Sequence, residues 1–339
     1  MDRLRWGIIG AGRFGRVHAR AVQALPELEL AAICRRDASQ LAEIAEQLGV
    51  RRAYTDYREL VASPELDGVS ICTHWREHCE IALAALAAGK HVLLEKPMAA
   101  TPDECARLLE AALHARGYLL VGHICRFDPR VTLAKRAIEA GQIGRILSMH
   151  AKRNLPVAPG SLRLDKISPL MGDGIHDADL MMWFTGRAPS RVYARNLRAE
   201  QFTYPDIGWA VLEFGDQAIG VIETNWRLPA NTPTAVDARF EIAGTDGQVT
   251  IDCGSTGLTV LTAAGTRQPD TMYWPVQHER LVGALVHELS YFADCIRRRV
   301  PPTVVTPREA ACAVAVMARC EESATAGVPL PFDVDAWSG

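Results

Sequence analysis

The chain has 339 residues, 48% hydrophobic and 23% charged, the composition of an ordinary soluble globular protein long enough for two domains with substantial cores. Its net charge of −3, with no block of like charge, argues against a nucleic-acid or anionic-membrane partner. Nine scattered cysteines without a CxxC pair, and ten histidines without metal-ligand spacing, predict buried thiols in a reducing cytoplasm and no catalytic metal. Apolar runs are too short to span a bilayer, and no N-terminal stretch has the charged-then-apolar layout of a signal peptide.

Residues 4–9 read as a strand that runs into Gly10-Ala11-Gly12-Arg13-Phe14-Gly15, followed by an apolar helical stretch over 17–25 that stops at Pro26. In that strand–turn–helix context the string is a dinucleotide fingerprint. Gly10 allows the tight turn, Gly12 lets the backbone approach a pyrophosphate, and Gly15 lets helix and strand pack closely. The first-turn N–H groups, with Arg13 and Phe14 at their start, face the anion. A second strand is expected at 28–34, then a helix between an Asp37 N-cap and a Gly49 stop. Strand 68–73, an Ala-rich helix 77–88 and strand 92–94 follow. Thr101-Pro102-Asp103-Glu104 is a capping box opening a helix that ends near Gly117, before strand 118–121. Strands alternating with helices predict a doubly wound parallel sheet, a dinucleotide-binding domain over 1–123.

After a helix at 129–140 the pattern changes. Segments 146–153, 192–197, 209–214, 219–226, 238–243 and 248–251 alternate apolar and polar residues, as a mostly antiparallel sheet buried on one face does. Helices are expected at 176–184, 279–298 and 307–324, the last able to pack back on the first domain. Residues 124–339 thus read as an α+β domain for substrate and oligomerisation. Only five lysines occur beside many arginines, a weak pointer to sites needing a compact ammonium.

Three segments carry more. They are the fingerprint, the run Ala88-Gly89-Lys90-His91-Val92-Leu93-Leu94-Glu95-Lys96-Pro97, and Gly172-Asp173-Gly174-Ile175-His176-Asp177-Ala178-Asp179. Together they closely resemble the Gfo/Idh/MocA oxidoreductases, the glucose–fructose oxidoreductase and inositol dehydrogenase family, over nearly the whole chain. The resemblance implies that Lys96 lies at the nicotinamide and hydrogen-bonds the reacting hydroxyl, that Glu95 holds this lysine, and that His176 is the general base. The chemistry fits: hydride removal from a carbinol requires loss of its hydroxyl proton, which an imidazole accepts near neutral pH. An ammonium beside the oxygen stabilises developing alkoxide character. Resemblance also places Thr73, Trp75 and His78 along the nicotinamide ribose, although Trp75 suits ordinary core packing equally well.

Two departures from the family pattern matter. The aspartate usual four residues before the histidine is here Gly172, and the carboxylate sits at Asp173, which can orient or relay for His176 or serve as a helix N-terminal charge. At the end of the second strand stands Cys34-Arg35-Arg36-Asp37 in place of a leading acidic residue. Arg35 and Arg36 suit the 2′-phosphate of NADP, or stack on adenine with either NADP or NAD. Arg153, Asn154 and Arg163 are candidate substrate readers, while Arg126 suits a structural salt bridge. The expected function is a cytoplasmic NAD(P)-dependent dehydrogenase acting on a secondary hydroxyl of a sugar, sugar nucleotide or cyclitol, as a homodimer or homotetramer. A non-catalytic dinucleotide-sensing protein and a redox-assisted glycoside-cleaving enzyme are the alternatives.

Overall fold

The computed structural model describes residues 3–254 and 257–337. The chain divides into two compact units, residues 1–128 with 272–311, and residues 129–271 with 312–339.

The first unit holds strands β1 (Leu4–Ile9), β2 (Leu28–Cys34), β3 (Arg52–Tyr54), β4 (Gly68–Ile71), β5 (His91–Glu95) and β6 (Leu119–Gly122). They form one sheet in the order β3-β2-β1-β4-β5-β6, every neighbouring pair parallel. Ile8, Ile33, Val69, Ile71, Leu93, Leu94 and Val121 are fully buried, the continuous apolar reading of strands covered on both faces. Between the strands run α1 (Arg13–Ala24), α2 (Ala38–Leu48), α3 (Tyr57–Ala62), α4 (His78–Ala87) and α5 (Pro102–His114). Capping follows the residues: Asp37 accepts from Gln40 N–H, and Thr101 from Glu104 N–H with Pro102 at the first helical position.

In the second unit, α6 (Pro129–Glu139), β7 (Ile146–Asn154), α7 (Val157–Ser161), α8 (Ile175–Thr185), β8 (Arg191–Leu197), β9 (Ile207–Phe214), β10 (Ala218–Asn225), β11 (Asp237–Gly244) and β12 (Gln248–Asp252) come in order. The sheet order is β12-β11-β7-β10-β9-β8, extended by the short strand Leu330–Pro331. All its pairs are antiparallel except β7 with β10. Strict alternation sends Ala210, Leu212, Phe214, Ile222, Phe240 and Ile242 into the core, while Trp209 and Ile219 remain exposed.

Two helices, α9 (Ala284–Arg298) and α10 (Pro307–Ala326), complete the chain. The expected start of the first of these, at 279, is corrected. Val276–Gln277 pairs with Arg280–Leu281 as a hairpin, His278 and Glu279 turn at φ 48° and 64°, and Gly283 at φ 100° opens the helix. Leu281 keeps the apolar helical period but is spent in the hairpin. At the other end of the chain, α1 begins at Arg13 rather than 17, because Arg16 N–H already reaches Gly12 O at 3.0 Å. The change in strand pattern put a boundary after 123; residues 272–311 instead return to the first unit, where α9 packs on α1 and β5. No described helix is long and apolar enough to cross a membrane.

Candidate functional site

The Gly-rich turn is built as its residues demand. Gly10 adopts φ 90°, and a Cβ there would lie 2.8 Å from the Cys72 carbonyl and the Thr73 nitrogen. A Cβ on Gly15 would lie 2.1 Å from Gly10 O, so only glycine lets α1 start against β1. This turn lines a cleft of about 700 Å³ with Arg35, Arg36, Asp37, Thr73, His74 and Glu77. Thr73 Oγ1 and Arg35 Nε are buried without a hydrogen-bond partner among the described residues. A cradle of open backbone with two such orphaned groups beside it fits a dinucleotide.

Arg35 Nη1 donates to Ala11 O at 3.3 Å, and its Nη2 to Gln40 Oε1. Arg36 pairs with Glu77 at 2.5 Å. Asp37, the nearest acid after β2, is spent on capping α2: it accepts from Gln40 N–H at 3.1 Å, Ser39 Oγ at 2.9 Å and Gln40 Nε2 at 2.6 Å. The Gln40 N–H foremost, then the Ser39 hydroxyl, hold its carboxyl below the usual range. Cys34 stays a thiol, pushed up to about 12 chiefly by burial.

At the carboxyl edge of β5, Glu95 is buried, accepts Lys96 N–H on Oε2 at 3.3 Å and meets His18 Nε2 through Oε1 at 3.0 Å. Gly122 leaves the room, since a Cβ there would lie 2.8 Å from that Oε1. His18 escaped the sequence reading; the available signal was a lone histidine three residues past Gly15 on the apolar face of α1. His78 is placed to brace the loop. Its Nδ1 donates to Pro97 O at 2.8 Å and its Nε2 lies 3.3 Å from Thr73 O. Burial, the largest influence, pushes this imidazole down, so the shorter contact is the hydrogen bond and the longer one a close approach. Trp75 is half-buried with the Arg76 guanidinium 5.3 Å above its ring. Arg126 is a buried salt bridge to Glu309 at 2.8 Å and donates to Val304 O at 2.7 Å.

In the second unit a π-helical turn, Leu170–Gly174, leads into α8. His176 and Asp173 are both buried near the start of that helix, and Asp173 forms an ion pair with Arg163 at 3.6 Å. Gly172 has a steric reason: a Cβ there would come within 2.9 Å of the Trp226 ring. An aspartate is barred from that position, and the acid stands one residue later. Arg153 is buried and bound twice by Asp177, Nη2 to Oδ1 at 2.8 Å and Nε to Oδ2 at 3.4 Å. Asn154 donates to Glu223 at 2.8 Å. Of the three candidate readers, then, Arg163 is the exposed one and the other two are held within the sheet and α8. Among the described residues, no group of three or more His, Cys, Asp or Glu side chains is arranged to hold a metal ion.

Comparison with known proteins matches residues 4–123 to the family described as "Oxidoreductase family, NAD-binding Rossmann fold" and residues 131–250 to the "GFO/IDH/MocA C-terminal domain". The chain is 30% identical over 309 residues to a myo-inositol 2-dehydrogenase of Thermotoga maritima, covering 89% of this chain and 90% of that protein. It is 31% identical over 254 residues to inositol 2-dehydrogenase 2 of Saccharopolyspora erythraea, covering 72% of each. In fold it is similar to the structure of a Lactobacillus casei scyllo-inositol dehydrogenase with bound NAD(H) and scyllo-inositol, with a TM-score of 0.84 at 23% identity over 97% of this chain and 99% of that one.

Proposed function

The chain belongs to the Gfo/Idh/MocA oxidoreductase family, and from that premise we propose that it oxidises a secondary hydroxyl of a cyclitol, sugar or sugar nucleotide with a nicotinamide dinucleotide. The observation that carries this reading is Lys96 at the carboxyl edge of the parallel sheet, its backbone anchored through Glu95. A nicotinamide dinucleotide bound there would supply the hydride acceptor. The Gly10–Gly15 turn would hold the pyrophosphate against the α1 N-terminus, and Thr73 would offer its hydroxyl to the dinucleotide. Lys96 stabilises alkoxide character on the reacting oxygen. His176 accepts the hydroxyl proton, with Asp173 orienting its ring. A dinucleotide sensor has no use for a lysine and a histidine at those positions, and both are present. The test is a screen of cyclitols, aldoses and UDP-sugars for NAD(P)H production with both cofactors in parallel. Stoichiometric reduced cofactor supports a dehydrogenase; bond cleavage without it would favour the glycoside-cleaving alternative.

For the cofactor, NADP(H) is the reading supported by a guanidinium at the end of β2 and by an Asp37 carboxylate already committed to the helix cap. Arg35→Asp is expected to shift preference toward NAD. A charge-assisted contact is worth about 1.5–3 kcal/mol, so the ratio of kcat/KM values should move by roughly tenfold or more. Arg36 lines the same cleft and can partly compensate, so the Arg35/Arg36 double replacement is the cleaner version. A wild type that prefers NAD, unchanged in the variant, removes the assignment.

The uncovered sheet face, with Trp209 and Ile219 exposed, supports a homodimer or homotetramer. Sedimentation velocity should show a species larger than one chain that Trp209→Lys weakens; a single-chain species in the wild type at micromolar concentration rejects it.

A further inference from the structure

Helix α9 carries an apolar stripe through Leu285, Leu289, Phe292 and Ile296, and its register forces Glu288 into the same stripe. The residue is 0% exposed, and neither carboxylate oxygen has a hydrogen-bond partner among the described residues. The helix packs on α1 and β5, the elements that carry His18 and Glu95. The Cys72 thiol, just past β4, is pushed up first by burial and then by the neighbouring Glu95 and Glu288 carboxyls. The two carboxyl groups sit on α9 and β5, elements packed together, and they are unequally supplied. Glu95 has the His18 ring and the Lys96 amide; Glu288 has no donor among the described residues.

An ionised carboxylate without donors in an apolar site is far costlier than the neutral acid, and two neighbouring carboxyls resist ionising together. We propose that Glu288 is a positioning residue held as the neutral acid, which leaves Glu95 free to anchor the Lys96 amide, and that ionising Glu288 loosens that anchor. Glu95 would then be repelled from its place between His18 and the Lys96 N–H, and Lys96 would lose its alignment. The alignment matters to catalysis only under the dehydrogenase reading above; the protonation state does not depend on it.

Burial first, then the Glu95 charge, hold the Glu288 carboxyl well above the ordinary range. The other titratable or charged groups on the elements around α9 include Arg13, Arg16, His18 and Arg20 on α1, Glu95 and His91 on β5, Cys72 after β4, and His123, Cys125, Arg126 and Asp128 beside β6. On α9 itself His287, Asp294, Arg297 and Arg298 are exposed, Tyr291 is half-buried and Cys295 is buried. The folded chain keeps a proton that the unfolded chain loses above a pH of about 4.3, so this group removes stability progressively as pH rises from there to its folded-state value.

Three readouts test the proposal on the full chain with its cofactor. Infrared difference spectra of the wild type should show a protonated carboxyl C=O band at neutral pH that Glu288→Gln lacks. The Tm advantage of Glu288→Gln over wild type should grow with pH above the carboxylate range. The fall of kcat on the alkaline side should move to higher pH in Glu288→Gln, with KM for the cofactor changed by less than about twofold. Absence of the band at neutral pH, or parallel pH–Tm curves, overturns the neutral-acid assignment. A shifted Tm curve with an unshifted kcat profile overturns the positioning role alone. If Glu288→Gln does not fold, the wild-type infrared titration still decides the protonation state, and Glu288→Asp, which keeps an ionisable group, should retain the alkaline fall.

Discussion

Lys96→Met is expected to leave dinucleotide binding intact and to lower turnover by about 10²–10³-fold or more, the usual loss when a donor to a developing oxyanion is removed. Methionine keeps the length and the apolar stem and deletes the ammonium. The backbone should hold its place, because Glu95 accepts the Lys96 backbone N–H and His78 braces the neighbouring Pro97 carbonyl. The cleft that would take the dinucleotide is lined by Gly10, Arg35, Thr73 and their neighbours, none of them altered. Fluorescence titration with NAD(P)H and steady-state rates separate the two effects. Turnover within a few-fold of wild type would sink the catalytic role, while a large loss of cofactor affinity would recast Lys96 as a binding residue.

His176→Ala should cost about 10²–10⁴-fold in kcat, the range for loss of a general base, and should abolish a limb of the pH–rate profile in the imidazole range. Asp173→Asn separates the roles open to that carboxylate. Asp173 lies one turn before His176 and is paired with Arg163 at 3.6 Å. If it orients the ring, the amide keeps part of the geometry and the loss is milder than for His176→Ala. Equal losses support a paired relay. A helix N-terminal charge alone predicts a change in Tm with little change in kcat. If neither replacement slows the reaction, the proton goes elsewhere and the assignment of the base is wrong.

The order of elements and the dinucleotide turn were legible in the residues because each rests on local rules. Gly10 and Gly15 answer to a positive φ and a 2.1 Å approach within one turn, and Asp37 and Thr101 cap the helices they precede. The apolar periods of 2 and 3.6 separated a buried parallel sheet from an alternating antiparallel one. Rarity of lysine, in contrast, did not single out a reactive site. Lys90 is buried and donates to Ser63 O and Leu66 O, Lys135 donates to Trp183 O, and Lys152 pairs with Asp237. Each ties together segments far apart in the chain.

What needed the tertiary structure was which partner each polar group takes. The pairing of Arg153, a candidate substrate reader, is settled only when α8 brings Asp177 against it. Gly172 reads as a lost aspartate until the Trp226 ring, 54 positions further on, is seen to fill the space. Glu288 reads as one polar residue on an amphipathic helix until α9 packs on α1 and β5 and buries it. By itself the sequence determined the local geometry, the parallel and antiparallel sheets and the chemistry-bearing motifs, since these depend on neighbours within a few residues. Tertiary structure decided the charge pairing, the return of residues 272–311 to the first unit and the burial of Glu288, because desolvation and pairing are set by groups the chain brings together only on folding.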